Sequence, residues 1–472
     1  MGVFQRHARE VIMSDHIQQL FEERLARYQA TIALEPTDRM MIAGTGSNNF
    51  AEIYAGYSRQ EVMYDINKWM AAESKFAEDF PEIDLLRAGR VWAPLFESVG
   101  FKLYKLPGRD LPADTDFQFV EGEWMKADEY DLLIENPVEF MMERRLPRVL
   151  GEFKEKGSIR SYMAFLKGGM AFVIMGQMMR EKTLNLQMKY GLPPPFQGGM
   201  LVPFDVLADG YRGLQGIMID IFERPEKVLE ACDALIPDLV NCALTTADPL
   251  KRYPIFIPLH RGNFPFLSPK QFNTFYWPTL YKSITLLIEA GYAVRAYLEG
   301  DWTPNWHHWN EFPKGKILCD IDNKADIIRA KKEIGGTVCL AGGIPDRMFI
   351  LGAPDEIRAR VKELCETVGK DGGLILNGGC AIPYLTKPEN FRAFIDATLE
   401  YGRYSDTVKP KLKKPPASPP GGPVPGHPPR VITPWEVRVK ELGGVMGNEG
   451  LVKEAWETLE RRAFCWLHFW DW

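Results

Sequence analysis

The chain has 472 residues, of which 46% are hydrophobic and 25% are charged, and its formal net charge is −6. These fractions are typical of a folded protein and exclude disorder over most of the length. Basic and acidic residues number 57 and 63, so bulk charge does not support a nucleic-acid-binding function. The length allows roughly two to three average domains, or one barrel with additional segments.

The amino-terminal sequence mixes charged and apolar residues and lacks the continuous apolar core of a secretory signal. The most apolar stretch, residues 162–179, is interrupted by Lys167, Gly168 and Gly169, which favours a buried core segment over a membrane span. The seven cysteines form no Cys-x-x-Cys pair. We therefore expect a cytoplasmic protein with reduced thiols and no membrane partner.

Residues 1–37 are predicted to form a helical extension, because apolar residues recur there at helical spacing. The following region is mixed: an amphipathic helix is predicted over residues 59–76, and the Pro-, Gly- and Asp-rich residues 107–116 indicate a loop or hairpin. The sequence GTGSNNF at residues 44–50 lacks the full glycine pattern of a nucleotide-binding loop, so we favour a plain turn over a phosphate site.

From residue 253 onward, apolar strands alternate with amphipathic helices. The predicted strands are YPIFIPLH, YAVRAYL, KILCDI, TVCLAG and GLILNG. The predicted helices cover residues 268–290, with Ser268 as N-cap and Gly291 as stop, and residues 324–333, 355–368 and 388–401. This alternation predicts an α/β fold with a parallel sheet, either a barrel or a doubly wound sheet.

The last part of the sequence consists of two segments that differ in composition from the barrel region and from each other. Residues 409–430 are rich in proline and lysine and are predicted to be a semi-extended linker. Residues 431–472 are predicted to form a tryptophan-rich helical tail, with a capping box starting at Thr433 and a second helix near residues 451–464. So much aromatic surface predicts docking, either on the chain's own barrel or on a neighbouring subunit in a homodimer.

Several side chains able to do chemistry follow the predicted strands. In a barrel the carboxyl ends of all strands meet at one face, where catalytic residues gather. His260, Glu299, Asp320, Asp322 and Cys380 stand at such strand ends. An imidazole, carboxylates and a thiol can supply three ligands to zinc and leave one position open. Taken singly, the histidine is also explained as a hydrogen-bonded loop residue and the cysteine as a small buried residue.

Three further residues are candidates for substrate binding. Trp302 shares a segment with Trp306 and Trp309, which either line a substrate pocket or pack that segment against its neighbours. Arg261 follows His260, and Arg295 lies inside a predicted strand. A buried charge must be paired, so Arg295 is predicted to have a carboxylate partner. The nearest candidates are Glu299 and Asp320, and Glu299 then serves as a salt-bridge partner or as a metal ligand.

The second half of the sequence resembles the uroporphyrinogen decarboxylase superfamily. The run GGLILNGGCAIPYLTKPENFRAFIDATLEYG is similar to the closing segment of that superfamily. LSPKQFNTFYWPTLYKSITLLIEAG, GGIPDRMFILGAPDEIRARVKELC and residues 63–84 fit it as well. The resemblance extends over residues 38–403 and implies that residues 38–408 form a (β/α)8 TIM barrel.

The superfamily has two main branches, a cofactor-free decarboxylase and zinc-dependent methyltransferases that exchange methyl groups with a corrinoid protein. The decarboxylase's amino-terminal arginine signature has no match here, since DRMMIAGTGSNNF stands in its place. Cys380 matches the methyltransferases' last zinc-binding cysteine. Their His-x-Cys-Gly motif corresponds to Tyr297-Leu298-Glu299-Gly300, so Glu299 replaces a cysteine and Tyr297 a histidine.

The resemblance therefore implies a methyltransferase that acts as a demethylase on a small methylated compound, for example a methoxylated aromatic one. Zinc on His260, Glu299 and Cys380 would be a hard Lewis acid at the leaving oxygen while a corrinoid accepts the methyl group. The cobalt-ligand motif of corrinoid proteins is absent, so the corrinoid is expected on a partner protein. Asp320 and Glu299 are the catalytic candidates, and Trp302, Arg261 and Arg295 the substrate-binding ones. The alternatives are a cofactor-free decarboxylase and a non-catalytic protein that interacts through its tail.

Overall fold

The structure, a computed structural model, describes residues 13–44, 50–86, 91–379, 381–413 and 431–471. Its strands are β1 (Met41–Ile42), β2 (Tyr104–Lys105), β3 (Gln118–Phe119), β4 (Ile255–Leu259), β5 (Val294–Leu298), β6 (Ile317–Ile321), β7 (Cys339–Gly343) and β8 (Leu374–Asn377). Six of them form a parallel sheet in the order β1–β8–β7–β6–β5–β4. The other two, β2 and β3, pair antiparallel as the hairpin predicted around residues 107–116.

Two parallel bridges extend the six-stranded sheet at its edges. Ala43 pairs with Leu85 next to β1, and Gly199 pairs with Phe256 of β4. Together with the six strands, these two bridges provide the eight strand positions of a (β/α)8 barrel, two of which are reduced to a single pair of residues. The predicted TIM barrel with helical segments at both ends of the chain is therefore confirmed.

The five strands predicted from residue 253 onward are all present. Ile255 to Leu259 of β4 pair residue by residue with Val294 to Leu298 of β5. Those β5 residues pair in turn with Ile317 to Ile321 of β6. All five residues of β6 are buried, as expected for a parallel strand covered on both faces. This register brings the carboxyl ends of the strands to one edge, where His260 and Glu299 follow β4 and β5.

Helices make up most of the remaining described chain. Up to residue 190 they are α1 (Asp15–Ile32), α2 (Phe50–Tyr54), α3 (Arg59–Tyr64), α4 (Ile66–Asp79), α5 (Ala93–Ser98), α6 (Tyr130–Glu135), α7 (Pro137–Phe140), α8 (Leu146–Val149) and α9 (Ile159–Tyr190), with a π-helical segment at Met141–Arg145 and a 3₁₀ turn at Gly151–Phe153. The amphipathic stretch over residues 59–76 is helical and consists of two helices, because Asp65 ends α3 and caps the first turn of α4.

The later helices flank and follow the barrel strands. They are α10 (Pro203–Asp205), α11 (Gly213–Glu223), α12 (Pro225–Thr246), α13 (Pro269–Gln271), α14 (Trp277–Glu289), α15 (Ile327–Ile334), α16 (Asp346–Leu351), α17 (Pro354–Glu366), α18 (Pro388–Tyr401), α19 (Trp435–Glu441) and α20 (Glu449–His468), with π-helical segments at Val206–Tyr211 and Phe272–Tyr276 and 3₁₀ segments at Thr303–Glu311 and Phe469–Asp471. Ser268 caps α13 as predicted. In contrast, α15 starts three residues later than predicted, where the Asp326 side chain accepts hydrogen bonds from the N–H groups of Ile328 and Arg329.

Two sequence predictions are wrong in this part of the molecule. Residues 162–179 lie in α9, but they do not form a buried core segment, since Tyr162, Leu166 and Met170 are more than half exposed. The predicted capping box at Thr433 is also absent. Pro434 occupies the N-cap of α19, and the backbone N–H of Thr433 donates to Glu460 instead. No helix in the described ranges is long and apolar enough to cross a bilayer.

The carboxyl-terminal tail docks on the chain's own barrel. Trp466 and Trp470 are buried, and Arg145 donates a hydrogen bond to the Trp470 carbonyl at 2.9 Å. The indole of Trp466 packs against Phe172 of α9, with ring centroids 5.6 Å apart. Of the two docking modes predicted for the tail, this structure has the intramolecular one, and the homodimer stays a prediction.

Candidate functional site

A cavity of about 1100 Å³ opens at the carboxyl ends of the barrel strands. Its walls include five residues predicted from the sequence, namely His260, Arg261, Arg295, Glu299 and Asp322. Parts of α9 and α20 complete the wall, so the docked tail belongs to the cavity. The structure therefore brings together residues from β4, β5 and their loops, as the strand-end argument requires.

His260 lies between two carboxylates. Its Nδ1 is 2.6 Å from Asp209 Oδ2, and its Nε2 is 3.9 Å from Glu299 Oε1. Burial alone would lower the pKa of His260, but the hydrogen bond to Asp209 and the surrounding negative charge raise it to about 9. Without a metal the imidazole is therefore protonated at neutral pH, with one N–H directed at Asp209 and the other at the cavity.

Asp209 also binds the neighbouring arginine. Arg261 Nε donates to Asp209 Oδ1 at 2.6 Å. Burial opposes ionisation of Asp209, but the hydrogen bond from His260 and the charge of Arg261 outweigh it and lower the pKa of that carboxyl. Burial raises the pKa of Glu299, against the charge of His260. Arg261, Asp209, His260 and Glu299 thus form a chain of four charged groups, which ends at the half-exposed Glu299 side chain.

Asp205 holds the backbone at His260 and Arg261, two members of this chain of charged groups. It is fully buried and accepts the backbone N–H groups of His260 at 2.8 Å and Arg261 at 3.0 Å, and the Tyr276 hydroxyl at 2.9 Å. Burial raises the pKa of Asp205 to about 7, although the charge of His260 lowers it. The turn after β4 is thus held by three hydrogen bonds to one carboxyl group.

Sequence reasoning missed both Asp205 and Asp209. They lie four residues apart on the helical run from Pro203 to Tyr211, which places them on the same side of the helix, facing the end of β4. One sequence feature could have identified them, since two carboxylates interrupt the otherwise apolar sequence VPFDVLADG. Buried carboxylates need partners, so such a pair in an apolar run predicts hydrogen-bond donors nearby.

Arg295 has the carboxylate partner predicted for it, and that partner is Asp320. Arg295 Nε and Nη2 donate to the two oxygens of Asp320, each at 2.7 Å, and Asp320 is fully buried. The alternative partner Glu299 is thereby left to face His260. Because both oxygens of Asp320 accept from the guanidinium, the structure shows Asp320 as the counter-ion of Arg295 in the barrel wall. Its action as an acid or base stays a prediction.

Trp302 lies behind the cavity wall and not on its surface. It is fully buried, packs against Phe272 and Tyr276, and donates from Nε1 to the Glu299 carbonyl at 3.0 Å. Trp306 is fully buried as well, and so is Trp309. The packing interpretation of this tryptophan segment therefore fits the structure, and Trp302 acts on the site by holding the backbone of Glu299.

The predicted zinc ligands are described in part. Cys380 lies outside the described residues, as does the predicted turn at residues 45–49. Within the described ranges, no group of three His, Cys, Asp or Glu side chains is arranged to hold a metal. His260 and Glu299 supply two donors, and their separation of 3.9 Å is below the sum of two zinc–ligand bonds of about 2.1 Å each. Asp209 on Nδ1 is the outer carboxylate typical of zinc-bound histidine, so these donors fit zinc.

Aromatic rings form the apolar part of the cavity wall. Phe196 and Phe256 stack with centroids 4.4 Å apart, and Tyr297 meets Phe256 edge-on at 5.8 Å. All three line the cavity. Stacked and edge-on rings offer flat apolar surfaces suited to a planar aromatic ligand.

Residues 189–401 match the family described as uroporphyrinogen decarboxylase (URO-D). These residues, just under half of the chain, are therefore similar to that family, which confirms the resemblance predicted from the motifs.

Individual proteins agree with this assignment. The uroporphyrinogen decarboxylase of Pseudoalteromonas translucida is 31% identical over 137 residues, which are 29% of this chain and 38% of the relative. That of Psychromonas ingrahamii is 28% identical over 136 residues, which are 28% of this chain and 38% of the relative. The match thus spans well under half the length of these two relatives. A methyltransferase from Methanosarcina mazei has the same fold, with a TM-score of 0.56 and 19% identity over 81% of this chain and 98% of that protein.

Proposed function

We propose that this protein is a methyltransferase that removes the methyl group of a small methoxylated aromatic compound and passes it to a corrinoid on a partner protein. The observation that carries the proposal is His260, held between Asp209 and Glu299 at the rim of an aromatic-lined cavity. A family domain of the uroporphyrinogen decarboxylase type and a fold shared with a methyltransferase support an enzyme of this superfamily.

The chain's own residues bind and orient the substrate. Phe256 and Tyr297 give a flat surface for the aromatic ring, close to the strand ends that carry His260 and Glu299. Asp209 holds the imidazole so that Nε2 faces the cavity. Zinc bound by His260, Glu299 and Cys380 would withdraw electrons from the ether oxygen and make the methyl group a better electrophile.

The charges around the cavity argue against a substrate with many carboxylates. Arg261 is paired with Asp209, and Arg295 is paired with Asp320. The two other cations of the wall, protonated His260 and Lys324, are matched in number by the carboxylates of Glu299 and Asp322, so the wall has no surplus of positive charge. A polycarboxylate such as a porphyrinogen needs a surplus of positive charge, because each carboxylate loses water on binding. An uncharged or singly charged aromatic compound fits this balance better.

The second candidate function is a cofactor-free decarboxylase, and the names of both curated relatives favour it. In that case no metal is needed, and His260 serves as the acid that returns a proton to the carbon losing its carboxylate. Its ring is held by Asp209 and its Nε2 faces the cavity, as this role requires.

The metal content of the purified protein separates these functions. The methyltransferase predicts about one zinc per chain, lost in Glu299→Gln and in Cys380→Ala. Glu311→Gln is a matched control, because Glu311 is also paired with a histidine, His308, at 2.7 Å. We expect this control to keep its zinc. Wild-type protein without zinc, and with activity unaffected by a chelator, would overturn the metal assignment.

An activity assay gives the second readout. Protein mixed with a methoxylated aromatic compound and a reduced corrinoid protein should form methylcobalt, followed by its absorbance, together with one equivalent of the corresponding phenol. Release of carbon dioxide from a porphyrinogen, without methyl transfer, would instead support the decarboxylase.

A further inference from the structure

Two cysteines from distant parts of the chain meet at the wall of the cavity. Cys242 lies in α12 and Cys465 in α20, and these two helices meet one turn away, where His468 Nε2 is 3.7 Å from Asp238 Oδ2. The Cys465 thiol lies within hydrogen-bonding reach of the Cys242 side chain. Both line the cavity and both are present as reduced thiols. Neither has a part in the proposed function, so their proximity requires a separate explanation.

The surroundings of Cys465 favour its thiolate. The hydrogen bond with Cys242 lowers the pKa of Cys465, and Thr245 and His468 act in the same direction, while burial opposes them. Cys365 is a useful comparison because it is equally buried, at 6% exposure against 7%. Burial raises the pKa of Cys365 to about 11. Because the thiolate is the nucleophile in thiol exchange, Cys465 is the more reactive of the two.

We propose that Cys242 and Cys465 are a redox-active dithiol, which closes to a disulfide and fastens the carboxyl-terminal helix to the barrel wall. The oxidant is a small-molecule disulfide. The Cys465 thiolate attacks one of its sulfurs, forms a mixed disulfide and releases one thiol. Cys242 then attacks the sulfur of Cys465 and releases the second thiol. Two cysteine thiols are oxidised and one small disulfide is reduced to two thiols, which carry the two protons.

The bond would act on the cavity because the tail forms part of its wall. His468 and Phe469 line the cavity beside Cys465. In the reduced protein the tail is held by noncovalent contacts, including the hydrogen bond from Arg145 to the Trp470 carbonyl. A disulfide one helical turn away fixes that wall in place. In a reducing compartment such a bond is transient, which is the behaviour of a redox sensor.

The test uses the full-length protein treated with glutathione disulfide under native conditions. Wild type is expected to lose two of its seven thiols, and peptide mapping should find one disulfide, between Cys242 and Cys465. Cys242→Ala and Cys465→Ala should lose no thiol pair. Cys232→Ala is the matched control, since Cys232 lies buried in the same helix, and it should lose two thiols like wild type.

A labelling measurement on wild type keeps the proposal testable if a variant fails to fold. Cys465 should react with iodoacetamide about tenfold faster than Cys365, its equal in burial. The melting temperature of wild type should rise on oxidation and return on reduction. The proposal is overturned if oxidation joins other cysteines, stops at glutathione adducts, or leaves all thiols free.

Discussion

Replacing Asp320 by alanine tests how the barrel wall tolerates the Arg295 guanidinium. The two side chains exchange two hydrogen bonds of 2.7 Å, and their side chains are 6% and 0% exposed. Removing the carboxylate leaves a buried positive charge without its partner, because β5 is enclosed by β4 and β6. The loss of a buried partner costs about 3–5 kcal/mol. At about 2 °C per kcal/mol for a large domain, the melting temperature should fall by about 6–10 °C.

The control is a pair of the same chemistry on the surface. Arg329 and Glu333 are 2.6 Å apart on α15, with side chains 55% and 34% exposed. Glu333→Ala should lower the free energy of unfolding by only about 0.3–0.5 kcal/mol. Both variants are measured by chemical unfolding followed by tryptophan fluorescence, and by thermal melting.

The double variant Arg295→Met/Asp320→Leu refines the test. It replaces the ion pair by apolar side chains of similar size, which is commonly neutral for a buried pair. It should therefore be more stable than Asp320→Ala alone. Our reasoning is wrong if Asp320→Ala lowers the free energy of unfolding no more than Glu333→Ala does. It is also wrong if the double variant loses as much stability as Arg295→Met and Asp320→Leu do added together. The variant Asp320→Asn, assayed for enzymatic activity below its melting temperature, distinguishes a catalytic role of the carboxylate from its role as the counter-ion of Arg295.

Three further predictions concern the tail and the site. In α9, a methyl group at Gly168 would lie 2.6 Å from the docked Trp466 indole, whereas one at Gly176 meets nothing within 4 Å. Gly168→Ala should therefore lower the free energy of unfolding by about 1–3 kcal/mol, and Gly176→Ala should raise it by about 0.5–1 kcal/mol; equal effects in chemical unfolding would contradict the docking. Asp209→Asn should weaken zinc binding about 10–100-fold in a chelator competition, and an unchanged affinity would speak against an outer carboxylate. Tyr276→Phe removes a hydrogen bond to a buried carboxyl and should cost about 1–3 kcal/mol in the same unfolding assay, unlike a surface substitution.

The second half of the barrel was predictable because its strands are continuous apolar runs. Each strand from β4 to β8 has four or five residues, most of them apolar. The first half offers no such run. There β1 has two residues, and the positions at Leu85 and Gly199 are single bridges, so sequence periodicity has almost nothing to detect.

The candidate site shows the same contrast. His260 and Glu299 were predicted because they follow recognisable strands, and their side chains lie 3.9 Å apart at the ends of the adjacent strands β4 and β5. Asp205 and Asp209 come from a helical run between strands, and their role depends on which donors fold against them. The sequence also left open whether Asp320 or Glu299 is the counter-ion of Arg295, because this depends on which carboxylate folds against the guanidinium. Periodicity reports which residues are buried, but it does not report which buried charges meet.

The barrel wall is expected to open more easily at its two single-bridge positions, at Leu85 and Gly199, than along its longer strands. Amide hydrogens in the paired strands from β4 to β8 are expected to exchange with solvent only when the whole barrel opens. Around Leu85 and Gly199 the pairing is reduced to one bridge each, with two and three backbone hydrogen bonds, so exchange there should need only local separation. Gly199 also lines the cavity. Ligands that enter or leave beside it would therefore pass a part of the wall with fewer backbone hydrogen bonds than the ladders from β4 to β8.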